Sequence, residues 1–256
     1  MSAPTPLLDF FRRGEVARDV RLLAAAGALA PRAEEQLSIL ILLLDDSDAE
    51  VRTSASRTLD RLPVDALAAF LARSDVPIGI REFFADRGIF PATIPATAAE
   101  DPLIDLGPSG GDDSVDDLSR ASLVSRVGKM GFTDRLKAAL KGTREIRAIL
   151  IRDPNKMIAA SVLSSAKVTE SEIEGFARMA NVGEEVLRII GSNRAWTKNY
   201  GVVVGLTRNP KTPLGLSLNL LARLNDRDVN ALSMDRNVPE PLRTAARRKV
   251  VLGASR

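Results

Sequence analysis

An all-α fold, an α-solenoid of short helical pairs in two units, is predicted by three features of the sequence. Apolar residues make up 45% of the 256 residues but aromatics only 4%. A core of Ala, Leu, Ile and Val suits thin helical layers better than stacked sheets. Asp153, Asn181, Asn209 and Asn237 recur every 28 residues, a spacing typical of repeat architectures. Helical periodicity stops between Pro91 and Asp117, where Pro, Ala, Gly, Ser and Asp take over.

That composition is of a flexible acidic linker. The expected organisation is an N-terminal helical-repeat unit at 1–90, a linker at 91–117 containing Gly107–Asp117, and a C-terminal helical-repeat unit at 118–256. The net charge of +3 conceals a division. Through Asp117 there are 11 Lys and Arg against 21 Asp and Glu, and from Leu118 there are 25 against 12. The first part carries −10 and the second +13, which suggests different partners or mutual attraction.

In the N-terminal unit, the apolar run Leu37–Leu44, broken only by Ser38, is far too short for a membrane helix and reads as a buried one. Ser47-Asp48-Ala49-Glu50 opens the next helix with a Ser-x-x-Glu box. Asp75-Val76-Pro77 followed by Ile80-Arg81 matches Asn237-Val238-Pro239 followed by Leu242-Arg243, so both units are expected to share one kind of brick.

In the C-terminal unit, five residues after each marker stand Ile158, Val186, Leu214 and Leu242, and nine after stand Val162, Ile190, Leu218 and Ala246. Asn and Asp accept from the free N–H groups of a first helical turn, and Asn181-x-x-Glu184, Asn237-x-x-Glu240 and Thr169-x-x-Glu172 add the acid of a capping box. Each repeat of this basic unit, with its period of about 28, therefore reads as two helices of about 10 to 13 residues.

Asp48-Ala49-Glu50-Val51-Arg52-x-x-Ala55 resembles the core of a HEAT repeat. Asn209-Pro210-Lys211-Thr212-Pro213 and Asp235-Arg236-Asn237-Val238-Pro239 resemble the bacterial leucine-rich-repeat variant. The resemblance implies an α-solenoid that serves as a scaffold or regulator, and no catalytic residue follows from it.

The chain has no Cys and no His, which removes thiolate nucleophiles, imidazole bases and most transition-metal ligand sets. No Gly-rich phosphate loop or metal motif surrounds the carboxylates. No enzyme activity, cofactor or metal is expected. Asp9, Arg12, Arg13 and Glu15 interrupt any export signal, so the expected location is cytoplasmic, with no membrane span.

Function is expected on an open face of the stack. Arg152, Arg208 and Arg236 each precede a marker, and Lys156 and Lys211 lie nearby. Such arginines complement helix C-termini, and the same forks pair with carboxylates or phosphates. Arg194, Trp196 and Lys198 interleave an aromatic ring with cations, as in an anchor or a base-stacking site, although a lone Trp also fills gaps between helices. These eight residues are the candidates. The expected partner is a protein with an acidic surface, and nucleic acid held through its phosphates is the alternative.

Overall fold

In the computed structural model, which describes residues 6–95, 101–106 and 120–254, the chain is all-helical. Sixteen α-helices and a 3₁₀ turn lie among the described residues, and no strand does. None of these helices is long and apolar enough to cross a membrane. The chain forms two compact units. One comprises the described residues up to Leu150 with Ala160–Lys167, and the other Ile151–Ala159 with those from Val168 onward.

The first unit holds α1 (Pro6–Arg12), α2 (Arg18–Ala25), α3 (Ala33–Leu43), α4 (Ala49–Asp60), α5 (Val64–Leu71), α6 (Ile78–Ala85), α7 (Arg120–Lys129), α8 (Phe132–Lys141) and α9 (Arg144–Leu150). The run at Leu37–Leu44 forms the body of α3, with Leu37 and Leu40 fully buried. Helix α2 packs on both α3 and α4, α1 on α3, and α7 and α8 on α9. Helix α4 is capped by Asp48, which accepts from Glu50 N at 2.8 Å and Val51 N at 3.4 Å. The cap is thus one residue later than the Ser47 box requires.

The first-turn amides of α1 are satisfied from distant parts of the same unit. Leu8 N donates to Glu35 Oε1 at 2.9 Å and Leu7 N to Ser164 Oγ at 3.4 Å. Of the expected linker, residues 96–100 and 107–117 lie outside the described residues. Within 103–106, Gln36 accepts from Leu103 N and donates to Ile104 O, and Leu106 N donates to Gly27 O.

The second unit holds the start of α10 (Lys156–Leu163), then α11 (Glu170–Arg178), α12 (Glu184–Ser192), α13 (Tyr200–Arg208), α14 (Leu214–Leu221), α15 (Asp226–Met234) and α16 (Glu240–Ala254). Thr169 and Glu172 make the expected reciprocal box on α11. Helix α11 packs on α13, α14 on α16, α13 on α14 and α15 on α16. A Cβ at Gly205 of α13 would lie 3.2 Å from Ala177 Cβ of α11, so glycine permits this close approach.

Two details differ from the sequence reading. From α9 to α15 the helices are seven to nine residues long, shorter than expected because the turns consume the polar residues. The markers lie inside those turns, and helices begin three to five residues later. Asp153 accepts from Asn155 N and Asn209 from Lys211 N, whereas in the last pair Asp235 accepts from Asn237 N. Helices α11, α13 and α15 end at 178, 208 and 234, intervals of 30 and 26. The connection carrying the 3₁₀ turn Trp196–Lys198 spans 193–199, and the next spans only 222–225. Equal marker spacing thus conceals unequal connections.

The shared brick does recur locally. Ile80 N donates to Pro77 O at 3.1 Å and Leu242 N to Pro239 O at 3.0 Å. Val76, Ile80, Val238 and Leu242 are all buried.

Candidate anion-binding groove

The turns that precede α10, α12 and α14 meet, within the second unit, at a groove of about 540 Å³, within the size range of ligand sites. Arg152, Asp153, Pro154, Lys156 and Ala159 line one side. Asn181, Gly183, Glu184, Glu185, Val186 and Arg188 come from the start of α12, and Lys211 from the turn before α14.

Local chemistry fixes each turn. Asn155 caps α10 by accepting from Met157 N at 2.9 Å and Ile158 N at 3.4 Å. Met157 and Ile158 are buried, which leaves the preceding Lys156 exposed. Asn209 is itself buried. Its amide donates to Ala177 O at 2.9 Å and Met179 O at 3.0 Å, and its oxygen accepts from Lys211 N at 3.0 Å. This turn is therefore held by three hydrogen bonds from one side chain, with Lys211 at its exposed edge.

Four cations and three carboxylates share the lining. Arg188 is forked onto Glu185 at 3.1 and 2.6 Å, the bidentate geometry of a strong pair. Lys156 and Lys211 have no ion-pair partner among the described residues. The groove therefore offers two ammonium groups without an ion-pair partner among the described residues, in a lining that also holds three carboxylates.

No family model, curated protein or solved structure matches the chain.

Of the eight candidates, the groove brings together Arg152, Lys156 and Lys211 and leaves five outside. Arg208 is bound to Asp228 at 2.8 Å, and Asp228 also accepts from the Tyr200 hydroxyl at 2.6 Å. Burial and this hydrogen bond hold the Tyr200 phenol above its ordinary pKa. Arg208 is the last residue of α13, whereas Arg152 and Arg236 lie beyond the ends of their helices. The three arginines therefore do not share one position relative to their helix ends.

Trp196 is 9% exposed and belongs to the core, so its ring does not offer a face for stacking. Arg194 and Lys198 are exposed beside it, and Arg236 is exposed on the turn before α16.

Sequence reasoning missed Arg188 and Glu185, and marked Asp153, Glu184 and Asn209 only as residues of helix starts. It also could not tell which cations are consumed internally. Lys249 Nζ donates to Leu221, Ala222 and Leu224 O at 2.9, 3.2 and 3.2 Å. Arg223 donates to Thr197 O, and the buried Arg147 of the first unit donates to Gly142 O and Lys167 O. Part of the basic charge thus satisfies carbonyls at helix ends and in the connections.

A larger hollow of about 800 Å³ lies between α2 and α4 in the first unit, where Leu22, Leu23, Ala26 and Ala49 share the lining with Asp19, Glu50, Thr53, Ser54 and Arg57. Among the described residues no group of three or more acids could hold a metal ion.

Proposed function

We propose that the chain is a HEAT-like or leucine-rich-repeat-variant α-solenoid of the bacterial kind, and that it works as a non-catalytic scaffold or adaptor. The groove bordered by Lys156 and Lys211 receives an acidic surface of a partner protein. The observation that carries this reading is the pair of unneutralised lysines, presented by turns that their own caps hold in place. Packing of alternate helices, α11 on α13 and α14 on α16, supports a repeat architecture in which each pair shields its neighbour.

Nucleic acid is the second reading, favoured by the charge of +13 from Leu118 onward. Two observations weigh against it. Several cations are bound to carbonyls, and Asp153, Glu184 and Glu185 interrupt the groove, which disfavours a continuous row of phosphates.

The test is binding of fluorescent polyglutamate and of duplex DNA by the full chain, alone and in competition. The scaffold reading expects polyglutamate to bind, DNA to compete poorly, and the Lys156→Glu/Lys211→Glu double variant to lose most of the affinity. Preferential DNA binding with a steep salt dependence would replace it with the second reading.

A further inference from the structure

We infer that the hollow between α2 and α4 seats a short amphipathic helix of a partner protein, one with an acid near its start and a base near its end. This surface belongs to the first unit and does not depend on the groove of the second.

Polar contacts fix how α2 and α4 lie. Near their starts, Arg18 of α2 donates to Asp48 Oδ2 at 2.5 Å and to Glu50 Oε2 at 2.6 Å. Near their ends, the Thr58 hydroxyl of α4 donates to Ala25 O of α2 at 2.6 Å. The two helices are therefore parallel. To the hollow between them α2 gives Asp19, Leu22, Leu23 and Ala26, and α4 gives Ala49, Thr53 and Arg57. Spacings of three and four keep each set on one face of its helix, so the hollow runs lengthwise. From Asp19 to Ala26 it extends roughly 10 Å at about 1.5 Å per residue, the length of about two turns of a third helix.

The floor is apolar and open. Leu22 and Leu23 are half-buried and Ala26 and Ala49 are exposed, whereas Val20, Ala24 and Ala25 hold α2 to the core. A leucine stripe on an incoming helix would bury this floor.

The two ends differ in charge. Asp19, in the first turn of α2, and Arg57, in the last turn of α4, are exposed, and neither side chain has an ion-pair or hydrogen-bond partner among the described residues. Glu50 is already taken by Arg18, so Asp19 is the acid left at its end. Acids stabilise a helix N-terminus and bases its C-terminus. A helix stabilised in this way matches both ends only when it runs antiparallel to α2 and α4, with its acid at Arg57 and its base at Asp19. That direction also opposes its dipole to theirs.

Two end-capped synthetic peptides test this. They share one Leu and Ala stripe, but one begins with Glu and ends with Lys, and the other has these charges exchanged. Affinity is read by fluorescence anisotropy at low salt for the full chain and for Asp19→Lys/Arg57→Glu, whose fold is checked by circular dichroism. The ratio of the two affinities should change by about fivefold or more between the two proteins, as two exposed ion pairs would give. Comparing ratios cancels the unequal helicity of the free peptides. Leu22→Ser should weaken both complexes severalfold.

An equal ratio in both proteins, no binding of either peptide, or binding that Leu22→Ser leaves unchanged would overturn the inference. So would self-association of the full chain that Leu22→Ser abolishes and neither peptide displaces, which would assign the hollow to a second copy.

Discussion

Glu35 should make the first unit less stable as pH rises through the neutral range. Its side chain is fully buried, and burial raises its carboxyl from the ordinary 4.5 to about 7, against the opposing pull of Leu8 N, Ser164 and Arg32. The protonated form is the one the folded state prefers. Its stabilising contribution is therefore complete below pH 4.5 and is lost as pH climbs through about 7. At about 1.4 kcal/mol per pH unit of displacement, the loss is on the order of 3 kcal/mol. Glu35→Gln keeps an oxygen for Leu8 N and cannot ionise. The variant should match the wild type near pH 4.5 and exceed it at pH 8 by roughly 6–12 °C in Tm, at about 2–4 °C per kcal/mol. Thermal melts of both proteins across this range give the difference curve, in which the other titrating groups cancel. A flat difference, or a gain confined to acid pH, would refute the assignment of a buried, proton-binding carboxyl.

Other outcomes follow from particular contacts. Lys249→Met leaves three carbonyls near the end of α14 without their ammonium donor, and should lower stability by about 1–3 kcal/mol in urea unfolding. Gly175→Ala in α11 meets no atom within 4 Å and should raise stability by up to about 1 kcal/mol. Gly142→Ala drives its Cβ into Ala138 O and Ile146, so it should cost about 1–3 kcal/mol in the same assay. Tyr200 is the single tyrosine, so absorbance near 295 nm reads it alone. It should titrate above the ordinary 10.0, and Asp228→Asn should bring the titration down. An unchanged curve would mean that the Tyr200–Asp228 bond does not form in solution.

What the sequence disclosed was what depends on neighbours along the chain. The Thr169–Glu172 box and the buried run of α3 are short-range patterns of capping and apolar length, and both lie where periodicity placed them. The all-helical architecture follows from the same patterns. Legibility declined where a residue's role is set by distant chain. Glu35 looks like an ordinary first-turn acid of α3, and only Leu8 and Ser164 reveal it as a buried support for α1. Lys249 and Arg147 look like surface charge until the carbonyls they reach are known.

The site was partly legible for a similar reason. Lys156 and Lys211 sit at a helix start and a turn that local rules mark out, so their exposure was foreseeable, whereas Arg152, which lies in sequence between the first unit's last helix and Lys156, is half-buried. Regular spacing implied that Arg208 would join them, but unequal connections place it at the end of α13, against Asp228. Trp196 carried an ambiguous signal, and the 3₁₀ turn that buries it has no strong sequence signature.

Hydrogen exchange of the full chain, with and without polyglutamate, addresses the groove most directly. Bound peptide should slow exchange in the turns around 152–159, 181–188 and 209–213, and Lys156→Glu/Lys211→Glu should abolish that protection. Protection confined to the hollow between α2 and α4, or to the 194–198 stretch, would place binding elsewhere and contradict the account.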